Sequence, residues 1–347
     1  MVNQLLKWYQ QNKRDLPWRK TCDPYKIWVS EIILQQTQIK TGIKYYNNFI
    51  GKFPSVQSLA LSNEIGVLKI WEGLGYYSRA INMLYTAKKI VSDYNGIFPS
   101  KYDELLQLKG IGQYTASAIS SICFNEKKAV VDGNVYRLLS RLYNIQVPIN
   151  TNSGKKKIQE IADNLIPYKD PGTYNQAIMD FGSIHCKKNN PKCNTCPFNK
   201  KCKAAKLNLV ALLPFKIKSK RIRSRNFNYL FITDYKYCLI KERTHNDIWE
   251  KLYELPLIES DLEIDVQTIE KNKYINQLDI ININHQYKIS HKLSHQNLNI
   301  KFWEVVTKRI ISDSEFIKIK INDINKYPFP KPIQNYFNNG DLKFSCQ

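Results

Sequence analysis

The sequence predicts a mostly α-helical N-terminal region joined to a smaller α+β domain. At roughly 150 residues per domain, the 347 residues allow about two domains, each with a core of its own. Up to about residue 205, apolar residues recur at steps of three and four, the period of a helix that buries one face. After residue 226, short β-branched and aromatic runs separated by turn residues predict an antiparallel sheet.

Helices are predicted throughout the N-terminal region, and no segment before residue 205 alternates like a strand. Ser100 to Asp103 is typical of a capping box, in which a serine side chain caps the helix that begins after it. The helical steps and small-residue runs lie at residues 29–33, 65–71, 80–87, 116–123 and 138–142.

The C-terminal domain is predicted to begin at residue 227, after a basic linker over residues 206–226. Within this linker, the stretch 214–226 carries six basic side chains and no acid. Two interpretations of the stretch stay open, a solvated tether and a strap that contacts phosphates. The predicted strands lie at residues 229–232, 237–240 and 300–306.

The charge of the chain favours a polyanionic partner. Lys and Arg number 52 against 30 Asp and Glu, which gives a formal net charge of +22. Such an excess fits nucleic acid or an anionic membrane surface. No run of about 18 apolar residues predicts a membrane span, and residues 1–14 lack the apolar core of a signal peptide. We therefore expect a cytoplasmic protein.

Four of the eight cysteines lie close together, at Cys186, Cys193, Cys196 and Cys202. In an intracellular chain this clustering predicts a metal site rather than disulfides. Four soft thiolates suit zinc or an iron–sulfur cluster, and the wide first gap in C-x6-C-x2-C-x5-C favours iron–sulfur over a paired zinc ribbon. The seven lysines in residues 186–206, a stretch without acid, would offset the thiolate charge or face phosphates.

Residues 108–116 (LKGIGQYTA) join two predicted helices through a glycine-rich turn. Gly110 and Gly112 flank an apolar residue, which allows a tight turn and a close backbone approach. The next helix directs its N-terminal amides outward, which suits an anion. An ordinary helix–helix turn is the alternative, but the net charge favours a helix-hairpin-helix that contacts the DNA backbone without reading sequence.

Together these motifs resemble the helix-hairpin-helix DNA glycosylase superfamily. The hairpin, the cysteine cluster and VVDGNV at 130–135 carry the resemblance. Residues 16–19 (LPWR), 24–38 (PYKIWVSEIILQQTQ) and 73–79 (GLGYYSR) narrow it to MutY-type adenine DNA glycosylases. The resemblance implies a helical catalytic region over residues 1–205 that hydrolyses the N-glycosidic bond of adenine opposite 8-oxoguanine or guanine.

The resemblance implies two catalytic carboxylates. Glu31 matches the general acid/base, and burial among its apolar neighbours would raise its pKa as an acid needs, although a surface Glu also fits the local pattern. Asp132 matches the group that stabilises an oxocarbenium-like sugar, whereas by itself it fits a helix N-cap. Tyr114 and Asn134 are expected around this site. Endonuclease III-like relatives have a lysine where Tyr114 stands; because tyrosine forms no imine, a monofunctional enzyme is expected.

Five more residues match substrate contacts of the family. Gln36 and Tyr76 match side chains that wedge into the duplex near the oxidised guanine when the adenine is flipped out. The alternatives for these two are a surface amide and a core aromatic. Trp18, Arg19 and Gln176 match the adenine pocket.

The C-terminal third, over residues 227–347, resembles the Nudix-like domain with which the family senses 8-oxoguanine. The match lies in residues 248–256 (IWEKLYELP) and 291–295 (HKLSH), and it assigns a lesion contact to Ser294. Leu293 stands where Phe is common, and Lys109 stands where the hairpin often has Pro. The sequence contains no Nudix metal-binding box, so pyrophosphatase activity is not expected.

The resemblance further implies one [4Fe–4S] cluster per chain, held by the four clustered cysteines. The expected partner is double-stranded DNA with adenine opposite 8-oxoguanine or guanine; no membrane is expected, and the chain is expected to be a monomer, at the nucleoid in a bacterial cell. Two other functions stay open, a bifunctional endonuclease III-like lyase and a non-catalytic DNA-binding or redox module. Tyr114 and the extra domain argue against the first, and Glu31 with Asp132 against the second.

Overall fold

The computed structural model describes residues 1–217, 222–244, 247–272, 274–310 and 314–339. Residues 218–221 of the predicted linker therefore lie outside the described residues. By contacts the chain divides into two compact units. The first unit consists of Met1–Ser62 and Asn82–Ser219, and the second of Asn63–Ile81 and Lys220–Gln347. Among the described helices, none has the length and apolarity that a membrane span needs.

The N-terminal part of the chain is helical, as predicted. One core of the first unit lies between α1, α9, α10 and α11, around side chains such as Leu5, Leu139, Ile158 and Phe181. The helices are α1 (Val2–Asn12), α2 (Pro24–Leu34), α3 (Ile39–Lys52), α4 (Val56–Ala60), α5 (Glu64–Trp71), α6 (Ser78–Asp93), α7 (Tyr102–Leu105), α8 (Gln113–Phe124), α9 (Gly133–Tyr143), α10 (Asn152–Leu165), α11 (Pro171–Asp180) and α12 (Lys203–Lys206).

The start of α7 corrects the predicted capping box. Lys101, not Ser100, holds the N-cap position, and no side chain at this position caps the helix. The N–H of Tyr102 instead donates to the carboxylate of Glu126, at 2.7 Å. One of the unpaired amides at this helix N-terminus is thus satisfied from another part of the chain, which a local sequence pattern cannot reveal.

The C-terminal part is α+β, as predicted, but its sheet is mixed rather than antiparallel. β1 and β6 pair in parallel from Arg223–Gln296 to Thr233–Val306. The 62 residues between these strands leave room for the crossover that a parallel pair needs. The described elements are β1 (Arg223–Thr233), β2 (Tyr237–Glu242), β3 (Tyr253–Glu254), β4 (Leu257–Ser260), α13 (Val266–Glu270), β5 (Ile280–Lys292), β6 (Gln296–Thr307), β7 (Ile317–Lys320) and α14 (Lys331–Asn339).

The sheet order is β3-β2-β1-β6-β5, with β4 beside β1 and β7 beside β2. β1 is central, and both of its faces are buried. Phe227, Tyr229 and Phe231 enter one core, and Leu230 and Ile232 enter another. Successive side chains of a strand point to opposite faces, so a strand covered on both sides has a continuous apolar run. β1 begins at Arg223, inside the stretch predicted as linker.

Residues 63–81 belong to the second unit, although the sequence alone predicts them as part of the N-terminal region. The carboxylate of Glu72 accepts a hydrogen bond from the N–H of Phe329, at 3.2 Å. The ammonium of Lys69 donates to the carbonyl oxygen of Tyr327, at 3.4 Å. These partners lie more than 250 residues apart in the chain, and helix periodicity carries no information about them.

Candidate active site

The first unit contains a cavity of about 180 Å³. Its walls come from the 3₁₀ turn at Pro17–Arg19, from α2, α8 and α11, and from the N-terminus of α9. Two carboxylates and two arginines meet there among apolar side chains, as is typical of an active site. The predicted residues that line this cavity are Trp18, Arg19, Glu31, Tyr114, Asp132, Asn134 and Gln176.

Helix α2 carries Glu31 into the interior of the unit. Pro24 occupies the first helical position, where its fixed φ suits a helix, and the side chain of Asp23 accepts from the N–H of Tyr25 at 2.9 Å. From Ile27 to Ile33 every residue of the helix is buried. A helix that is apolar on all sides is held inside a protein, and its one acid is buried with it.

Glu31 is only 6 % exposed, so the alternative of a surface glutamate does not hold. Burial raises the pKa of its carboxyl to about 7, and the negative charge of Asp132 acts in the same direction. A hydrogen-bonding interaction with Tyr114 and the charge of Arg19 oppose this rise. Its Oε2 has no hydrogen-bond partner among the described residues. A carboxyl of this kind can donate and accept a proton at neutral pH.

Asp132 is the N-cap of α9 and also lines the cavity. Its Oδ1 accepts from the backbone N–H groups of Asn134 (2.9 Å) and Val135 (2.7 Å), and its Oδ2 accepts from the amide of Asn134 (2.7 Å). The pKa of Asp132 is raised, because burial outweighs the opposing effects of these hydrogen bonds and of the nearby Arg137. The cap and the cavity wall are therefore two roles of one carboxyl.

The hydrogen bonds continue from Asp132 to the cysteine cluster. The guanidinium of Arg137 donates to Oδ1 of Asn134 (2.9 Å), to the carbonyl oxygen of Gly182 and to that of Cys186 (2.9 Å). A cavity residue and the backbone of the first clustered cysteine thus share one arginine. Arg137 was not predicted from the sequence, because two of its three partners, Gly182 and Cys186, come from another part of the chain.

Tyr114 lies on α8 and lines the cavity beside Glu31. Its hydroxyl donates to Sδ of Met179, at 3.4 Å. Burial raises the pKa of this hydroxyl well above 10, and the charge of Glu31 adds to the rise. At neutral pH Tyr114 is therefore a neutral donor.

A buried ion pair fixes the arginines at the cavity. Asp180 is fully buried; its carboxylate accepts from both terminal nitrogens of Arg19, at 2.7 and 2.8 Å, and from Nε of Arg14, at 2.9 Å. Both arginines line the cavity. Gln176 is held in turn, because its Oε1 accepts from the hydroxyl of Tyr9 at 2.9 Å. Asp180 and Arg14 were not predicted from the sequence, although the acid in the apolar run AIMDFG (residues 177–182) is a local signal of a buried, paired carboxylate.

Gln36 and Tyr76 each lie at a turn with a positive φ, +60° and +46°. Such a backbone is strained for residues with a side chain and is often found at functional sites. Gln36 is exposed in the first unit, between α2 and α3. Tyr76 is 44 % exposed in the second unit, so the alternative of a core aromatic does not hold.

In the second unit, Tyr76 contacts Ser294. Their hydroxyl oxygens are 2.6 Å apart. Ser294 lies in the tight turn between β5 and β6, which is closed by the bond from the N–H of Leu293 to the carbonyl oxygen of Gln296, at 2.8 Å. Leu293 packs against the core, whereas Ser294 is exposed. The structure thus brings together two residues that the sequence resemblance assigned to the oxidised base.

The four clustered cysteines line one small cavity of about 30 Å³. Arg141 is buried beside it and donates to Sγ of Cys186, at 3.4 Å, and to the carbonyl oxygens of Lys187 and Lys188. Among the described residues, no group of three His, Cys, Asp or Glu is positioned around a single metal ion. Ligands spread around a cavity are compatible with a polynuclear cluster, and four thiols are the donor set that such a cluster uses.

The helix-hairpin-helix is formed by α7, the turn at residues 106–112 and α8. Gly110 has φ +80°, and a Cβ there would lie 2.8 Å from the Cβ of Asn82, so both the backbone and the space require glycine. Gly112 is the N-cap of α8. The first amides of this helix have no partner within it and form a site suited to an anion.

Comparisons with known proteins agree with these features. Residues 29–168 match the HhH-GPD superfamily of base excision DNA repair proteins, and residues 228–339 match the NUDIX domain. An adenine DNA glycosylase of Buchnera aphidicola subsp. Baizongia pistaciae is 37 % identical over 95 % of this chain and 93 % of its own. That of Homo sapiens is 40 % identical over 58 % of this chain and 38 % of its own.

A solved thermostable thymine-DNA glycosylase is similar in structure, with a TM-score of 0.55 and 30 % identity. The similarity covers 59 % of this chain and 95 % of that one. The predicted fold class, a helical glycosylase region with a smaller Nudix-like domain, is confirmed.

Proposed function

The chain belongs to the adenine DNA glycosylases of the HhH-GPD superfamily of base excision DNA repair proteins, and we propose that it excises adenine opposite 8-oxoguanine or guanine. The observation that carries this proposal is the buried Glu31, with a pKa of about 7, in the same cavity as Asp132. Adenine is a poor leaving group until it is protonated, so an acid beside the base is a chemical requirement.

In the proposed reaction, the protonated Glu31 donates to N7 of the flipped adenine. The glycosidic bond then breaks with the electron pair leaving on the base, and the sugar becomes an oxocarbenium-like cation. The carboxylate of Asp132 stabilises this cation, and the resulting Glu31 carboxylate accepts a proton from the attacking water. Tyr114 lines the cavity beside Glu31 and, because a tyrosine forms no imine with the sugar, it gives no covalent intermediate, which makes the enzyme monofunctional.

The pocket residues are proposed to orient the base. Arg19 is locked by Asp180, so its guanidinium is oriented before substrate arrives. Gln176, held by Tyr9, offers an amide for the edge of the base, and Trp18 offers an apolar wall. Groups fixed in advance lose little entropy when the substrate binds.

The experiment that tests this function is a single-turnover assay of adenine release. Duplexes with adenine opposite 8-oxoguanine, guanine and thymine are compared, and each reaction is repeated with borohydride. The proposal expects release from the two mispairs, little from the thymine pair and no trapped adduct. A trapped protein–DNA adduct would establish the bifunctional lyase instead, and the absence of release would leave a binding module.

We further propose that Cys186, Cys193, Cys196 and Cys202 hold one [4Fe–4S] cluster. The cluster would cross-link the loop that follows α11 and keep the carbonyl oxygens bound by Arg137 and Arg141 in place. Its role in this proposal is structural, and the reaction needs only the residues of the cavity.

The purified protein should contain about four iron atoms per chain, as a [4Fe–4S] cluster does. Cys202→Ser should lose most of this iron and yield less folded protein, because three thiolates hold the cluster poorly. The matched control is Cys22→Ser, since Cys22 is exposed and lies outside the cluster cavity. Iron measured by colorimetry, per mole of purified chain, checks this. Stoichiometric zinc without iron would contradict the proposal.

For lesion sensing, we propose that Tyr76 and Ser294 act as one contact site. 8-Oxoguanine differs from guanine by an N7 hydrogen and a C8 carbonyl, and a serine hydroxyl accepts from the first or donates to the second. Because this hydroxyl is already 2.6 Å from that of Tyr76, the two side chains meet the duplex together. Gln36 is proposed as a second wedge.

Ser294→Ala should lower the preference for 8-oxoguanine over guanine by about ten- to a hundred-fold, since one discriminating hydrogen bond contributes about 1–3 kcal/mol. Release opposite guanine should stay nearly unchanged. The matched control is Ser260→Ala, because Ser260 lies in β4, in the same unit but away from the turn that carries Ser294. Single-turnover rates on both duplexes check this. Full preference in Ser294→Ala would assign lesion sensing to Gln36 and to the ring of Tyr76.

A further inference from the structure

Lys109, in the turn of the helix-hairpin-helix, is held against an aromatic ring. Its ammonium lies 4.9 Å from the ring centroid of Tyr85, within the range of a cation–π interaction. Lys109 is exposed, and Tyr85 is 53 % exposed, so the pair is at the surface of the first unit. The turn at residues 106–112 contains no acid.

Helix α6 fixes this turn at three neighbouring points. The buried Thr86 donates from Oγ1 to the carbonyl oxygen of Lys109, at 2.7 Å, and Asn82 packs against Gly110. The ring of Tyr85 lies beneath the ammonium of Lys109. Asn82, Tyr85 and Thr86 are spaced three and four apart, so they lie on one face of the helix. The backbone and the side chain of Lys109 are therefore both held in place.

From this geometry we infer that Lys109 and Tyr85 form a phosphate contact of the hairpin, in addition to its backbone amides. This inference rests on the proposed action on duplex DNA. Proline, which is common at this position in the family, offers no charge, so Lys109 adds an ammonium directly before the amides of α8. Tyr85 is the positioning residue, because its ring limits where the ammonium can go.

The test is the salt dependence of binding to a fully paired duplex, from which no base is excised. Each phosphate contact contributes about 0.9 to the slope of log Kobs against log[KCl]. Lys109→Gln and Lys109→Pro should each reduce the slope by about this amount. Tyr85→Leu should reduce it in part, whereas Tyr85→Phe should keep the wild-type slope because the ring remains.

The matched control is Lys127→Gln. The ammonium of Lys127 also lies over a ring, 4.0 Å from the centroid of Tyr168, but it follows the C-terminus of α8. The helix has 12 residues, so this pair is about 18 Å from the hairpin. The salt slope of Lys127→Gln should equal the wild-type slope. Unchanged slopes in both Lys109 variants, or an equal loss in Lys127→Gln, would overturn the inference, and adenine release measured separately would still report on the proposed function.

Discussion

Replacing Glu31 by glutamine should abolish adenine release and leave duplex binding largely intact. The amide has the shape of the carboxyl, but it has no proton to donate to the base. A positioned general acid contributes about 10²- to 10⁴-fold, and a poor leaving group such as adenine places the loss at the upper end. In the wild type, release should decline as pH rises through about 7, because only the protonated Glu31 acts as the acid.

The same substitution should stabilise the fold at alkaline pH. The pKa of Glu31 rises from 4.5 to about 7 on folding, so between these values the folded state binds more protons than the unfolded state. The contribution of Glu31 to stability is therefore fully present below about pH 4.5 and is lost as pH rises through about 7. At 1.36 kcal/mol per pKa unit, the loss at pH 8 is about 3 kcal/mol. Glutamine carries no charge and avoids this loss.

Two measurements check the Glu31→Gln prediction, single-turnover release and urea unfolding at pH 5 and pH 8. The matched control is Glu160→Gln, which neutralises an exposed glutamate on α10 and should change neither quantity. A loss of binding that parallels the loss of activity would show that Glu31 supports the structure of the pocket instead. Equal stability of wild type and variant at pH 8 would contradict the raised pKa.

The helices and the site motifs were predictable because their signals are local. Glu31 lies in a run of apolar residues with helical spacing, and burial of its carboxyl follows from that run. The cysteine spacing is equally local. The role of Asp132 was ambiguous from the sequence, because an aspartate at the start of a helix fits both a cap and a catalytic carboxyl. In the structure, Asp132 accepts the hydrogen bonds of a cap and also lines the cavity.

What the sequence did not predict depends on partners far apart in the chain. Asp180 orients Arg19 across 161 residues, and Arg137 joins Asn134 to a carbonyl oxygen 49 residues beyond it. The parallel pairing of β1 with β6 and the packing of residues 63–81 in the second unit also depend on residues far apart in the chain. Periodicity describes which face of an element is buried, but not which element covers it.

Asp132→Asn should lower the rate of adenine release by about 10²- to 10³-fold, the usual cost of removing one fixed electrostatic group at a developing charge. Asparagine caps helices about as well as aspartate, so Oδ1 can keep its bonds to the backbone of α9. The one direct loss is at the amide of Asn134, which now meets a second donor, and this costs about 1 kcal/mol of stability.

The control for Asp132→Asn is a cap of the same kind outside the cavity. Asp170 caps α11 by accepting from the N–H of Thr173, at 3.2 Å, and it does not line the cavity. Asp170→Asn should therefore match Asp132→Asn in helix capping but keep the wild-type rate. The deciding quantity is the single-turnover rate on the acidic plateau of each variant's pH profile, because loss of the Asp132 charge lowers the pKa of Glu31 and moves the profile to lower pH. If Asp132→Asn retains a near-normal rate, the carboxylate acts only as a cap, and the cation must be stabilised by another group of the cavity.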